Sequence, residues 1–238
     1  MSKTPFIYLR AKQGREAEAS SHDNSLPAES HELWTALVIH LRWAPDLPMS
    51  LFLQNLDEHN ALFGKLSALE EVIAQATAAL TSALQQDNKI MFCGNGGSAA
   101  DSQHLAAEFT GRFIQDRAPL AAIALSTDSS TLTCISNDYA FDQVFLRQVQ
   151  ALGKKGDCLV GISTSGNSNN VILAMEYART SGITTIGLLG RDGGKLVELC
   201  DISIVVPSTT TARIQEAHIL IGHTLCGAVE IALELVEK

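Results

Sequence analysis

His104 and Glu108 stand four residues apart in a stretch of helical pattern, so their side chains fall on one face, where they can bind a metal ion or share a proton. A second polar set, Gln215, Glu216, His218 and His223, interrupts a segment otherwise built of Ile214, Ile219, Leu220, Ile221 and Leu225. Polar groups on so apolar a helix need partners, because burying them unpaired is costly. His218 reads as a satisfied core or interface histidine. Gln215 and His223 lie eight residues apart, about 12 Å along a helix and roughly 80° around it. To meet at one ion, both side chains must reach toward each other, or another subunit must contribute.

Two turns accompany these residues. Gly94-Asn95-Gly96-Gly97-Ser98 and Ser163-Thr164-Ser165-Gly166-Asn167-Ser168 each follow a short apolar run and open a helical pattern. Glycines let the backbone approach an anion, the first amides of a helix point at it, and serine hydroxyls rotate to donate. Together they suggest a cradle for a phosphorylated, polyhydroxylated ligand, with Ser163, Thr164, Ser165 and Ser168 suited to the oxygens of a phosphate monoester. Gly94, Gly96 and Ala99 also fit a loose dinucleotide fingerprint. The acid expected at the end of the next strand is missing, since that run ends Leu125-Ser126-Thr127, and no lysine follows the glycines as a P-loop requires.

The elements that must position these groups alternate. Short aliphatic runs at 89–93, 121–125, 157–162, 184–189 and 202–206 read as strands. Helical patterns fill 99–113, 129–137, 141–152, 168–180 and 211–236, and two more, over 51–63 and 66–84, read as a helical hairpin or one bent helix. Strand–helix alternation predicts an α/β fold, a parallel five-stranded sheet covered on both faces, with ligands beyond the carboxyl ends of the strands. Residues 1–48 differ: four of the six prolines and both tryptophans fall there, beside a polar stretch over 11–25. They read as a largely disordered extension with one short amphipathic helix around Trp34, leaving 49–238 as the globular unit. Met49 is then a candidate start, an expectation that N-terminal sequencing of the native protein returning Ser2 would exclude.

The 238 residues carry a formal charge of −9, which argues against nucleic acid or an anionic membrane as a main partner. The 46% hydrophobic content beside 18% charged residues points to subunit contacts. Cys93, Cys134, Cys158, Cys200 and Cys226 are odd in number, without a CxxC pair, and are expected to be buried and reduced. No apolar run approaches the ~20 residues of a membrane span, and the reading is a cytoplasmic protein.

From about Met49 onward the chain resembles the phosphoheptose isomerases of the sugar isomerase (SIS) superfamily. The resemblance rests on Cys93 to Asp101, Gln103-His104, Ser136-Asn137-Asp138, Gly161 to Ser168, Arg191-Asp192-Gly193-Gly194-Lys195 and Ala212-Arg213-Ile214-Gln215-Glu216. It implies a three-layer α/β/α SIS fold and interconversion of sedoheptulose 7-phosphate and D-glycero-D-manno-heptose 7-phosphate, an early step toward the ADP-heptose of lipopolysaccharide core. It also implies a homotetramer with active sites at subunit boundaries and one zinc per subunit on His104, Glu108, Gln215 and His223. Implied substrate contacts are Asn95, Gly96, Gly97, Asn137, Asp138, Ser163, Thr164, Ser165 and Ser168, with Glu108 and Gln215 also near the sugar.

Aldose–ketose isomerisation passes through an enediol and needs a base at carbon, an acid at oxygen and stabilisation of oxyanion charge. Glu108 is the candidate base and His223 the candidate acid. A non-enzymatic SIS protein that binds a replication initiator is the main alternative, but its pattern lacks the acid and histidine that stand here at 108 and 223. A SIS isomerase of another sugar phosphate is the second.

Overall fold

In a computed structural model of the protein, residues 50–236 are described. The expected extension over 1–48 and its helix around Trp34 lie outside the described residues. Ser50 opens helix α1 (Leu51–Phe63), its hydroxyl accepting from Leu53 N. A 3-10 turn, Leu66–Leu69, leads into α2 (Glu70–Gln85), whose first turn carries Glu70 and Glu71 at the positive helix end. The two helices do not pair as a hairpin: α2 buries Ala76, Leu80 and Ala83 in the core, while α1 exposes Leu51 and Phe52.

Five strands follow: β1 (Ile90–Gly94), β2 (Ala122–Ala124), β3 (Cys158–Ser163), β4 (Thr184–Gly190) and β5 (Ile202–Val206). All pairings are parallel, in the order β2-β1-β3-β4-β5. Between them run α3 (Gly97–Thr110), α4 (Ser129–Asp138), α5 (Val144–Leu152), α6 (Asn169–Thr180) and the single-turn α7 (Leu196–Leu199), and α8 (Thr211–Ala232) closes the chain. The sequence pattern misses α7, which is too short to show a period.

Alternation along the strands divides the core into two layers. Ile90, Phe92, Val160, Ile162, Leu188 and Ile204 pack with α2, α3 and α8. Met91, Cys93, Leu159 and Leu189 pack with the opposite layer of α4 to α7. The three-layer α/β/α expectation holds. The cysteine expectation holds for Cys93, Cys158 and Cys226 only; Cys200 is half-buried and Cys134 exposed. The reason for Cys134 is its helix, where Ile135 alone is buried and the thiol turns out toward Asp138, 3.5 Å away.

The chain crosses from β2 at one edge back past β1 to β3, so the strand order reverses between β1 and β3. Their carboxyl ends, Gly94 and Ser163, therefore open a crevice at the switch point, where open α/β sheets bind ligands. The two signature turns leave the sheet there.

Candidate active site

Gly96 sits at the N-cap of α3 with φ +56° and open space where a β-carbon would stand, so the backbone conformation rather than crowding selects glycine. No side chain caps α3, α6 or α8, and all three begin at the same edge of the sheet. Their first amides and positive dipole ends are thus available to an anion. Across the crevice the Asn95 and Asn170 side chains exchange two hydrogen bonds, each Nδ2 donating to the other's Oδ1 at 2.8 Å. This amide pair ties the glycine turn to the first turn of α6.

The serine turn is held from behind. Ser163 Oγ lies 3.0 Å from Ser168 Oγ, and Asn167 donates from its backbone to Ser165 Oγ and from Nδ2 to the Ser165 carbonyl. Gly166 has φ +65°, and a β-carbon there would collide with the Gly193 carbonyl. Lys195 N donates to Asn167 Oδ1 and Leu196 N to the Gly166 carbonyl. The block Arg191 to Lys195 is therefore a turn after β4, with Arg191, Gly193 and Gly194 at positive φ, on which the serine turn rests.

Two turns further along α3, the layer of α3 and α8 builds the second half of the site. The helices run parallel: Gly97 meets Gln215, Leu105 meets Gly222, and Phe113 meets Gly227. A β-carbon on Gly222 would stand 2.5 Å from Leu105 Cδ2, so glycine permits the closest approach, and the neighbours of these two residues are His223 and His104. His104 Nε2 lies 2.9 Å from His223 Nε2 and 3.2 Å from Glu108 Oε1. The Phe113 ring stacks on His223 at 5.4 Å between centroids.

Ligand atoms of His104, Glu108 and His223 all lie within 4.8 Å of one another. Tetrahedral zinc with bonds of 2.0–2.1 Å sets its ligands about 3.3 Å apart, so two imidazole nitrogens and a carboxylate oxygen at 2.9 and 3.2 Å fit such an ion. Gln215, the fourth expected ligand, lies against Gly97, near the start of α3. Its helix turn is fixed by Glu216, which accepts from Arg213 and from His59 Nδ1; these bonds, the arginine's first, hold the Glu216 carboxyl below its ordinary pKa. One turn before His104, burial raises the Asp101 carboxyl, with His104 opposing, and its Oδ2 is buried without a partner.

Asn137 and Asp138 end α4, bonded to each other at 2.8 Å and exposed. Among the described residues neither side chain hydrogen-bonds to the serine turn or to the histidine pair. His218 is a core histidine, as expected, but only half satisfied: its Nε2 meets the Leu189 carbonyl at 3.0 Å, its Nδ1 is buried without a partner, and burial pushes its pKa down to about 4. Sequence reasoning missed the supporting roles of Asn170, Asn167 and Phe113. Only Asn167 had a signal, its place inside the serine turn.

The protein-family model described as the SIS domain matches residues 55–190. The phosphoheptose isomerase of Rhodospirillum rubrum is 56% identical over 171 residues, 72% of this chain and 91% of that protein. The chain belongs to the phosphoheptose isomerase family. The structure of the Neisseria gonorrhoeae phosphoheptose isomerase is similar with TM-score 0.70 and 44% identity, over 84% of this chain and 99% of that one. The Francisella tularensis phosphoheptose isomerase gives TM-score 0.67 and 38% identity, over 74% and 98%. The SIS match ends at Gly190, before α8, so the meeting of His104 and Glu108 with His223 is known from the geometry of α3 against α8. No helix among the described residues is long and apolar enough to cross a membrane.

Proposed function

We propose that the chain interconverts sedoheptulose 7-phosphate and D-glycero-D-manno-heptose 7-phosphate at the crevice between β1 and β3, as an early step toward the ADP-heptose of lipopolysaccharide core. The observation that carries this reading is the convergence of Glu108 and His223, from two parallel helices, through His104. The phosphate is held by Ser163, Thr164, Ser165 and Ser168 with the amides of α6. Asn95, Gly96, Gly97, Asn137, Asp138 and Gln215 take the sugar hydroxyls. Glu108 removes the proton from the carbon beside the carbonyl, while His223 protonates the carbonyl oxygen, giving the enediol. His223 then takes the proton of the neighbouring hydroxyl and Glu108 returns its proton to the adjacent carbon. Oε1 of Glu108 faces His104, which leaves Oε2 for the proton.

His104, Glu108 and His223, joined by Gln215, would hold one zinc per subunit. A bound zinc supplies Lewis-acid polarisation of the carbonyl.

The working enzyme in this reading is a cytoplasmic homotetramer that binds neither nucleic acid nor membrane. Exposed Leu51, Phe52 and Ile114 and the formal charge of −9 support it. The catalytic unit is read as 49–238, with 1–48 appended. The test is incubation of the purified protein with sedoheptulose 7-phosphate, with and without chelator, under light scattering to weigh the particle. Glu108→Gln and His223→Ala should each lower turnover ~10²-fold or more with the fold intact. Near-normal turnover in both would refute the mechanism.

A further inference from the structure

We propose that the buried pair Arg117–Glu230 is a positioning device for this site, setting the backbone of Glu108 and, through Phe113, the ring of His223. The inference rests on the reading of Glu108 and His223 as the proton-transfer pair.

Arg117 lies in the irregular segment between α3 and β2 and folds back over the end of α3. Its Nε donates to Glu230 Oε1 at 2.8 Å, and the two side chains are 2% and 1% exposed. One terminal nitrogen donates to the carbonyls of Phe109, Gly111 and Ala118, and the other donates to the Glu108 carbonyl at 2.8 Å. The last carbonyls of a helix have no partner within it and carry its negative dipole end, so a guanidinium there satisfies both needs. The carboxylate of Glu230 also accepts from Phe113 N and Ile114 N, each at 2.9 Å.

Glu230 stands seven residues beyond His223, two turns along the same face of α8. Between them Gly227 leaves room for Phe113, whose edge would lie 3.3 Å from a β-carbon there. The pair therefore grips the backbone on both sides of the site: the carbonyl of the residue that carries the base, and the amide of the residue whose ring walls the acid. Burying two charges costs several kcal/mol of desolvation, and an apolar replacement would leave the backbone groups they bind unpaired, so apolar packing alone is no substitute. A planar fork with fixed donors instead defines where α3 ends relative to α8.

The experiment compares wild type with Glu230→Gln, with the milder Arg117→Lys, and with Asp157→Asn. Asp157 is also fully buried and paired, with Lys89, at the opposite end of the sheet. Steady-state kinetics on sedoheptulose 7-phosphate give kcat and KM, and a ¹³C-edited spectrum of the histidine rings reports His223 stacked on Phe113. Glu230→Gln and Arg117→Lys should lower kcat ~10-fold or more, the scale seen for supporting-shell losses. KM should stay within about twofold and the His223 resonances should move. Asp157→Asn should lower Tm alone. The proposal is overturned if both site variants lose only Tm, with kcat and the His223 resonances unmoved. If Glu230→Gln does not fold, Arg117→Lys decides by the same two readouts. Inactive wild type would instead overturn the isomerase reading, and the resonances would still decide the positioning.

Discussion

Gly222→Ala tests whether the close approach of α3 and α8 builds the site. In an ordinary helix the change is favourable by roughly 0.5–1 kcal/mol, and Gly222 lies in the interior of α8. Here the new methyl would stand 2.5 Å from Leu105 Cδ2 and 3.1 Å from its Cγ. Carbon atoms need about 3.5 Å, so the surfaces must separate by about 1 Å. Leu105 is 1% exposed in a packed core, so the strain is shared between its side chain and α8. Overpacking of this kind costs about 1–3 kcal/mol, a net loss of up to about 2.5 kcal/mol, which lowers Tm by up to about 10 °C in a domain of this size. Activity should suffer more. His104 and His223 flank the contact at 2.9 Å, and a 1 Å misplacement of reacting groups can cost ~10²-fold. The assay is kcat/KM on sedoheptulose 7-phosphate beside a thermal melt, with Gly222→Ala/Leu105→Ala as the relief variant that should recover part of the activity while losing further stability. A Gly222→Ala protein with raised Tm and unchanged kcat/KM would refute the packing argument.

His218 has a folded pKa of about 4 against 6.5 for the free side chain, because burial disfavours its charge. The unfolded chain therefore binds the extra proton between these values, and stability falls as pH drops from 6.5 toward 4, by about 3 kcal/mol at most. Urea unfolding across that range should show a loss in wild type that His218→Asn lacks; parallel profiles would sink the assignment. Ser165→Ala should raise KM with little change in kcat, since a phosphate contact persists through the reaction. Gly166→Ala should raise KM further, because its β-carbon would drive the serine turn off the Gly193 carbonyl; titration with inorganic phosphate would check both.

Much of the sheet was legible because its signals are local. Ile90 to Cys93 and Cys158 to Ile162 are apolar runs ended by glycine or serine, and each strand lies within a residue or two of its expected span. The pairing of His104 with Glu108 was equally local, one helical turn. His223 was not, because its meeting with His104 depends on the register of two helices, which Gly222 and Leu105 set across the core. Arg117 and Glu230 are 113 residues apart, and no local pattern in the sequence links them. The Arg191 to Lys195 block was visible only as a family resemblance, since its work is to support a turn 28 residues earlier. Cys134 was misjudged because apolar neighbours in sequence, Leu132 and Ile135, occupy a different side of the helix from the thiol.

The shared orientation of α3, α6 and α8 bears on how fast an anion is captured. The chain as a whole is negatively charged, and neither turn of the crevice contains a lysine or arginine. Attraction on a phosphate at that edge comes from peptide dipoles, which fade within a helix turn, beside Arg191 and Lys195 in the turn on which the serine turn rests, and salt screens charges beyond the Debye length of about 8 Å. The net charge of −9 repels an anion at long range and salt screens that repulsion, so the rate of capture should rise, not fall, with ionic strength. Such a crevice discriminates at contact, after collision, by the fit of oxygens to amides.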